Sequence, residues 1–121
     1  MLPLLINSYW EIEMDKFVTK LCFVRKNKRL WIEGKRLTEN GFSYGVPVTV
    51  RYSPEKKMIT VSVDKEGKRK VAGRSDRKGA SKEMIPIIDL ASQKVNEVFK
   101  DVEVGTLIDV VITKGKIKFN I

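Results

Sequence analysis

The chain has 121 residues, 42% hydrophobic and 32% charged, which suits one packed core with a well-solvated surface. It carries a single cysteine, Cys22, and no histidine. That excludes an internal disulfide, a Cys-rich zinc site and every Ser–His or Cys–His nucleophile pair.

The net charge of +9 is unevenly spread. Residues 1–63 hold 11 Lys/Arg against 6 Asp/Glu, residues 64–82 hold 8 against 3, and residues 83–121 hold 5 against 6. A basic excess concentrated in part of a chain is the footprint of a phosphate-binding surface. No apolar run approaches the roughly 20 residues of a membrane span. The opening MLPLLINSYWEIEMD lacks the basic start, long apolar run and small-residue cleavage site of a signal peptide. The expectation is a cytoplasmic protein with no membrane contact.

In chain order, residues 1–14 form an apolar-rich leader, able to pack back as an arm or to meet a partner. Phe17–Val24 is rich in β-branched and aromatic residues and reads as a strand covered on both sides, with Cys22 inert in the core. Residues 25–29, RKNKR, form a basic turn. Leu30–Glu33 is a short strand whose Trp31 reads as core. Lys35–Asn40 is a short helix with Gly41 after it as C-cap. Period-two alternation then gives a hairpin, Val46–Tyr52 with Met58–Val63, in which Val46, Val48, Val50 and Tyr52 share one face and Ile59, Val61 and Val63 point inward.

Residues 64–82 carry three glycines and eight basic residues, with Lys70-Val71-Ala72 as a possible short strand. Met84–Asp89 is a strand, and Ser92–Lys100 a helix with Val95, Val98 and Phe99 on one face. Thr106–Thr113 and Lys116–Ile121 make a second hairpin around Lys114-Gly115. Lys114, Lys116 and Lys118 read as guards against edge pairing on a terminal strand. Glu33 and Asp89 occupy related places after the second strand of each half. Two acids without converging ligands make a weak metal site. Salt links to nearby Lys or Arg, or placement at a helix N-terminus, explain them better. No metal or cofactor is expected.

The chain repeats itself. Phe42 matches Phe99, Gly45 matches Gly105, Val48/Val50 match Ile108/Val110, and Ile59/Val61/Val63 match Ile117/Phe119/Ile121. The length differences fall in turns, where they are tolerated. A unit this small buries too little surface to fold alone, and two copies packed about a pseudo-two-fold axis would solve that.

The unit resembles the AbrB-like swapped-hairpin family, which includes the AbrB, SpoVT and MazE DNA-binding domains. In the first copy the resemblance rests on Val24-Arg25-Lys26, Arg29-Leu30-Trp31-Ile32, Gly45 and the 46–63 hairpin. In the second it rests on Arg69-Lys70-Val71, Gly73-Arg74, Ile85-Pro86-Ile87, Gly105 and the 106–121 hairpin. Glu33 stands where that family usually has Pro. The stretch Gly34-Lys35-Arg36-Leu37 to Asn40-Gly41-Phe42 looks more like the SymE-type branch.

The resemblance implies a mostly β fold with two short helices: a swapped-hairpin β-barrel formed as a single-chain pseudo-dimer. Residues 1–14 would be a leader, 15–63 the first half, and 64–121 the second half, including a basic loop at 74–82. It also implies a DNA-contacting face made by the two basic turns. These carry Arg25, Lys26, Lys28 and Arg29 in one copy and Arg74, Arg77, Lys78 and Lys82 in the other. Counting charge picks out the same two loops. Gly73 and Gly79 would let the backbone approach the sugar-phosphate chain.

Duplex DNA is therefore the leading partner, with the chain acting as a transcriptional regulator or the DNA-binding part of an antitoxin. No enzymatic role is expected. A SymE-like RNA-targeting toxin and a phage-type protein-binding inhibitor are the alternatives, and further dimerisation of the pseudo-dimer stays open.

Overall fold

The computed structural model describes residues 14–75 and 84–121. Residues 1–13, together with Arg77, Lys78, Gly79 and Lys82, lie outside the described residues. In chain order the elements are β1 (Asp15–Lys20), β2 (Cys22–Val24), β3 (Asn27–Glu33), α1 (Lys35–Glu39), β4 (Pro47–Ser53), β5 (Met58–Val63) and β6 (Arg69–Lys70). Then follow β7 (Ala72–Arg74), β8 (Ile85–Ala91), α2 (Gln93–Val98), β9 (Leu107–Thr113) and β10 (Lys116–Asn120).

Alternation decides the hairpins. In β5 and β10, Ile59, Val61, Ile117 and Phe119 are fully buried, while Thr60 and Lys118 between them face the other way. The helices are too short to hold themselves in water, and packing of Leu37, Val95 and Val98 into the core secures them. Gly41 follows α1 at φ 92, the left-handed geometry that a side chain opposes and glycine accepts.

The strands form two sheets, a six-stranded one ordered β1-β9-β10-β5-β4-β6 and a four-stranded one ordered β2-β3-β8-β7. One hydrophobic cluster joins their inner faces, with Leu30, Ile32, Ile88 and Leu90 from the smaller sheet and Ile59, Val61, Ile108, Val110 and Phe119 from the larger. Truncating any of these large side chains costs about 2–5 kcal/mol.

Both strand orders read the same from either end once each strand is exchanged for its counterpart in the other half. The central register follows suit. Ile59 pairs with Phe119 and Val61 with Ile117, so the shift that carries Ile59 onto Ile117 exchanges the two pairs and leaves Thr60–Lys118 at the centre. In the smaller sheet the same shift exchanges Leu30–Leu90 with Ile32–Ile88 and centres on Trp31–Asp89.

The chain crosses between sheets at two bends of the same design. Leu21, buried at the first, donates its N–H to Thr106 O and accepts from Gly105 N; Val71, buried at the second, donates to Val46 O and accepts from Gly45 N.

Several expectations need correction. The sheets are open: these bends turn the two corners, and no lateral ladder closes a barrel. Phe17–Val24 is two strands rather than one. Among the described residues it is not covered on both sides: Val18 is half exposed on the outer face of the larger sheet, as is Phe23 beyond the bend. Cys22 is exposed beside Arg29 rather than in the core. The basic turn is only Arg25-Lys26, since Asn27, Lys28 and Arg29 already belong to β3. Lys116 and Lys118 do not guard an edge, because β10 is paired on both sides, by β9 and by β5.

Candidate nucleic-acid interface

The hairpin of β2 and β3 closes tightly, with Val24 paired to Asn27 and only Arg25 and Lys26 between them. Arg25 takes the left-handed φ of 61, uncommon for a residue with a side chain. Both tip residues are exposed, and neither makes an ion pair with another described residue.

Lys28 and Arg29, the next two candidates, are engaged inside the molecule. The Lys28 Nζ donates to Phe99 O at 2.6 Å and Val102 O at 2.8 Å, while its backbone N–H donates to Asn96 Oδ1 at 2.7 Å. Carbonyls just past a helix lack intrahelical partners and carry partial negative charge, so an ammonium satisfies them well. Asn96 also reaches back to Asn27 Oδ1, which ties α2 to the start of β3.

On the outward face of the smaller sheet, one chain of polar contacts spans β3, β8 and β7. The Arg29 guanidinium forks onto both carboxylate oxygens of Asp89, at 2.8 and 3.0 Å. It also lies over the Trp31 ring, 4.3 Å from its centroid. The Trp31 indole N–H donates to Glu33 Oε1 at 3.0 Å, and Arg74 Nε and Nη2 both meet Glu33 Oε2.

Trp31 is thus not a core residue. Leu30 and Ile32 take the inward positions, and strict alternation turns the ring outward under Arg29. The indole N–H, aided by the Arg74 guanidinium, holds the Glu33 carboxyl below its ordinary value, and the hydrogen bond to Asp89 raises the Arg29 guanidinium above its own. Glu33 and Asp89 are not equivalent positions: Glu33 ends β3 opposite Ile87, whereas Asp89 sits inside β8 opposite Trp31.

Arg74 faces outward at the end of β7, paired with Ile85. The segment joining β7 to β8 carries Arg77, Lys78 and Lys82. At Gly73 a Cβ would meet the Tyr44 ring, whose Cδ1 lies 2.5 Å from that point, so the glycine lets this ring pack close to β7. Lys26 lies five residues from Trp31 along β3, and Ile85 four from Asp89 along antiparallel β8. The two basic connections therefore leave opposite ends of the sheet, about 30 Å apart along the strands.

Counting charge along the chain missed a second basic surface. On the outer face of the larger sheet, Lys16 pairs with Val111, Val111 with Lys118, Lys118 with Thr60, and Thr60 with Arg51. Three cations thus line up across the strands, each about 10 Å from the next. They come from separate parts of the sequence, and only strand order brings them into one row.

Among the described residues, no group of three or more Cys, Asp or Glu converges as a metal site, and no helix is long and apolar enough to cross a membrane. Comparison with family models, with curated proteins and with solved structures gave no match, so the functional reading rests on the geometry.

Proposed function

We propose that the chain is a cytoplasmic, duplex-DNA-binding protein, a small regulator or antitoxin-like module, built as a single-chain swapped-hairpin pseudo-dimer. The observation that carries this reading is the placement of the Arg25-Lys26 tip and of the Arg74–Ile85 strand ends, from which the second basic segment departs, at opposite ends of one palindromically ordered sheet. Their separation approaches the 34–36 Å between equivalent half-sites on one face of B-DNA, roughly one helical turn. The strand order supports the pseudo-dimer, since β1 with β9, β5 with β10, β4 with β6 and β3 with β8 all pair across the two halves.

In this reading Arg25, Lys26, Arg77, Lys78 and Lys82 neutralise phosphates and set affinity. Arg29 and Lys28 hold the scaffold instead. Arg74 becomes available when it lets go of Glu33, an exposed pair worth under about 1 kcal/mol.

The test is fluorescence anisotropy of random-sequence duplex DNA titrated across salt, for wild type, Arg25→Ala/Lys26→Ala and Arg77→Ala/Lys78→Ala. Each double variant should weaken binding and flatten the log–log salt slope. Absence of wild-type binding at low salt would end the proposal.

A further inference from the structure

The two halves differ at one edge. β1 covers β9 over six residues, from Asp15↔Ile112 to Lys20↔Leu107. Its counterpart β6 covers β4 over two, Pro47↔Lys70 and Val48↔Arg69. The cause lies in the connection: residues 64–68 are spent on the turn out of β5, where Gly67 N–H donates to Asp64 O.

Pro47 O accepts from Asp64 N on the β5 side of β4. Backbone groups of successive strand residues point alternately to opposite neighbours, so those of Val48, Val50 and Tyr52 point the other way. Val48 meets Arg69 there, whereas Val50 and Tyr52 lie beyond the end of β6.

A groove follows this edge. One part, about 500 Å³, is lined by Val50, Glu66, Lys68, Arg69 and Lys94 among others. The next, about 560 Å³, is lined by Val50, Arg51, Tyr52, Lys94 and Glu97 among others. Val50 and Tyr52, partly buried against the core, form its apolar floor. Lys94 of α2 lies over the Tyr52 ring, 5.5 Å from its centroid. Four cations border the groove against two acids.

We infer that the edge of β4 beyond β6, unpaired among the described residues, is a docking site for an extended acidic peptide strand of a partner protein. The strand would continue the place of β6 beside β4. The backbone of Val50 and Tyr52 would bind it, alternate apolar side chains would enter the groove, and its carboxylates would meet Arg51, Lys68 and Lys94. Charge selects this occupant over a second copy of the chain. Antiparallel pairing of β4 with itself would join two copies of the same groove, each bordered by Arg51, Lys68, Arg69 and Lys94 against Glu66 and Glu97, and an excess of like charge along one seam destabilises the pairing. This site is separate from the proposed DNA face and stands or falls independently of it.

The experiment follows the full chain by amide NMR while a short peptide alternating glutamate and valine is added. The largest shifts should fall at Val50, Tyr52 and their neighbours. Val50→Pro removes the edge N–H without touching the β5 ladder, and it should weaken binding by at least about tenfold. Lys94→Glu, on the exposed groove wall, should weaken binding several-fold with the fold intact. Shifts mapping elsewhere, or equal affinity in Lys94→Glu, would overturn the inference. So would concentration-dependent self-association lost in Val50→Pro, which would assign the edge to a second copy. Tighter peptide binding by Glu11→Lys/Glu13→Lys would assign it to the chain's own leader, and would overturn it equally.

Discussion

The ammonium of Lys28 lies 2.6 Å from the carbonyl oxygen of Phe99, joining the hairpin of one half to the end of the helix of the other. This lysine therefore acts as a cap. Lys28→Met should lower unfolding stability by about 2 kcal/mol, the scale of lost hydrogen bonds to a charged group. Denaturant unfolding measures the loss, and DNA affinity per folded molecule should be unchanged. An undiminished midpoint would show that the carbonyls are equally well served by water.

Glu33 predicts an acid-side dependence. Its carboxyl is held below the ordinary 4.5 by the Trp31 N–H and then by Arg74. A lowered folded value means that the unfolded chain binds the proton first. The contribution is therefore complete above 4.5 and is lost as pH falls through the lowered value. Thermal midpoints of wild type and Glu33→Gln should differ at neutral pH, by up to about 1 kcal/mol of stability. The gap should close on acidification below 4.5. A gap independent of pH would show that the carboxylate charge does not matter there.

The cations should separate into two classes by assay. Arg25→Ala/Lys26→Ala should reduce the log–log salt slope of DNA binding by about 2 and leave stability within about 0.5 kcal/mol. Arg29→Ala should instead cost stability, because Asp89 loses its fork and Trp31 its cover. Lys118→Ala, on the opposite sheet, should leave DNA binding unchanged. Loss of binding in Lys118→Ala alone would move the interface to the Lys16–Lys118–Arg51 row.

Two glycines provide a packing control. A methyl at Gly67 meets the backbone of Val48, which cannot move without breaking β4, so Gly67→Ala should cost about 2–3 kcal/mol. At Gly73 the nearest obstacle is the half-exposed Tyr44 ring, which can swing aside, and the Ile85 backbone oxygen at 3.2 Å need give only by tenths of an ångström. Gly73→Ala should cost less than about 1 kcal/mol. Thermal melts of the two variants decide this, and equal losses would contradict it.

Much of the local structure was legible in the chain itself. β5 spans Met58–Val63 as its alternation indicates, and α1 stops before Gly41 because that position needs a left-handed backbone. Such features depend on neighbours within a few residues. Trp31 shows where this reading fails. Hydrophobicity alone suggested a core position, but its alternation with Leu30 and Ile32 turns it outward, and the apolar run concealed that phase. The same limit applied to Lys116 and Lys118, which look like edge guards until β5 is seen to pair with β10.

The sequence by itself determined the strand periodicity, the two hairpins, the charge excess and the absence of histidine chemistry. These are sums or short-range patterns. The tertiary structure decided which cations are available. Arg29 and Asp89 are 60 residues apart in sequence, and Lys28 and Phe99 are 71 apart. Both pairs form because strand order and register bring the halves together. A charge count records how many cations a chain has, but whether each meets solvent or an internal acceptor depends on contacts that exist only after folding.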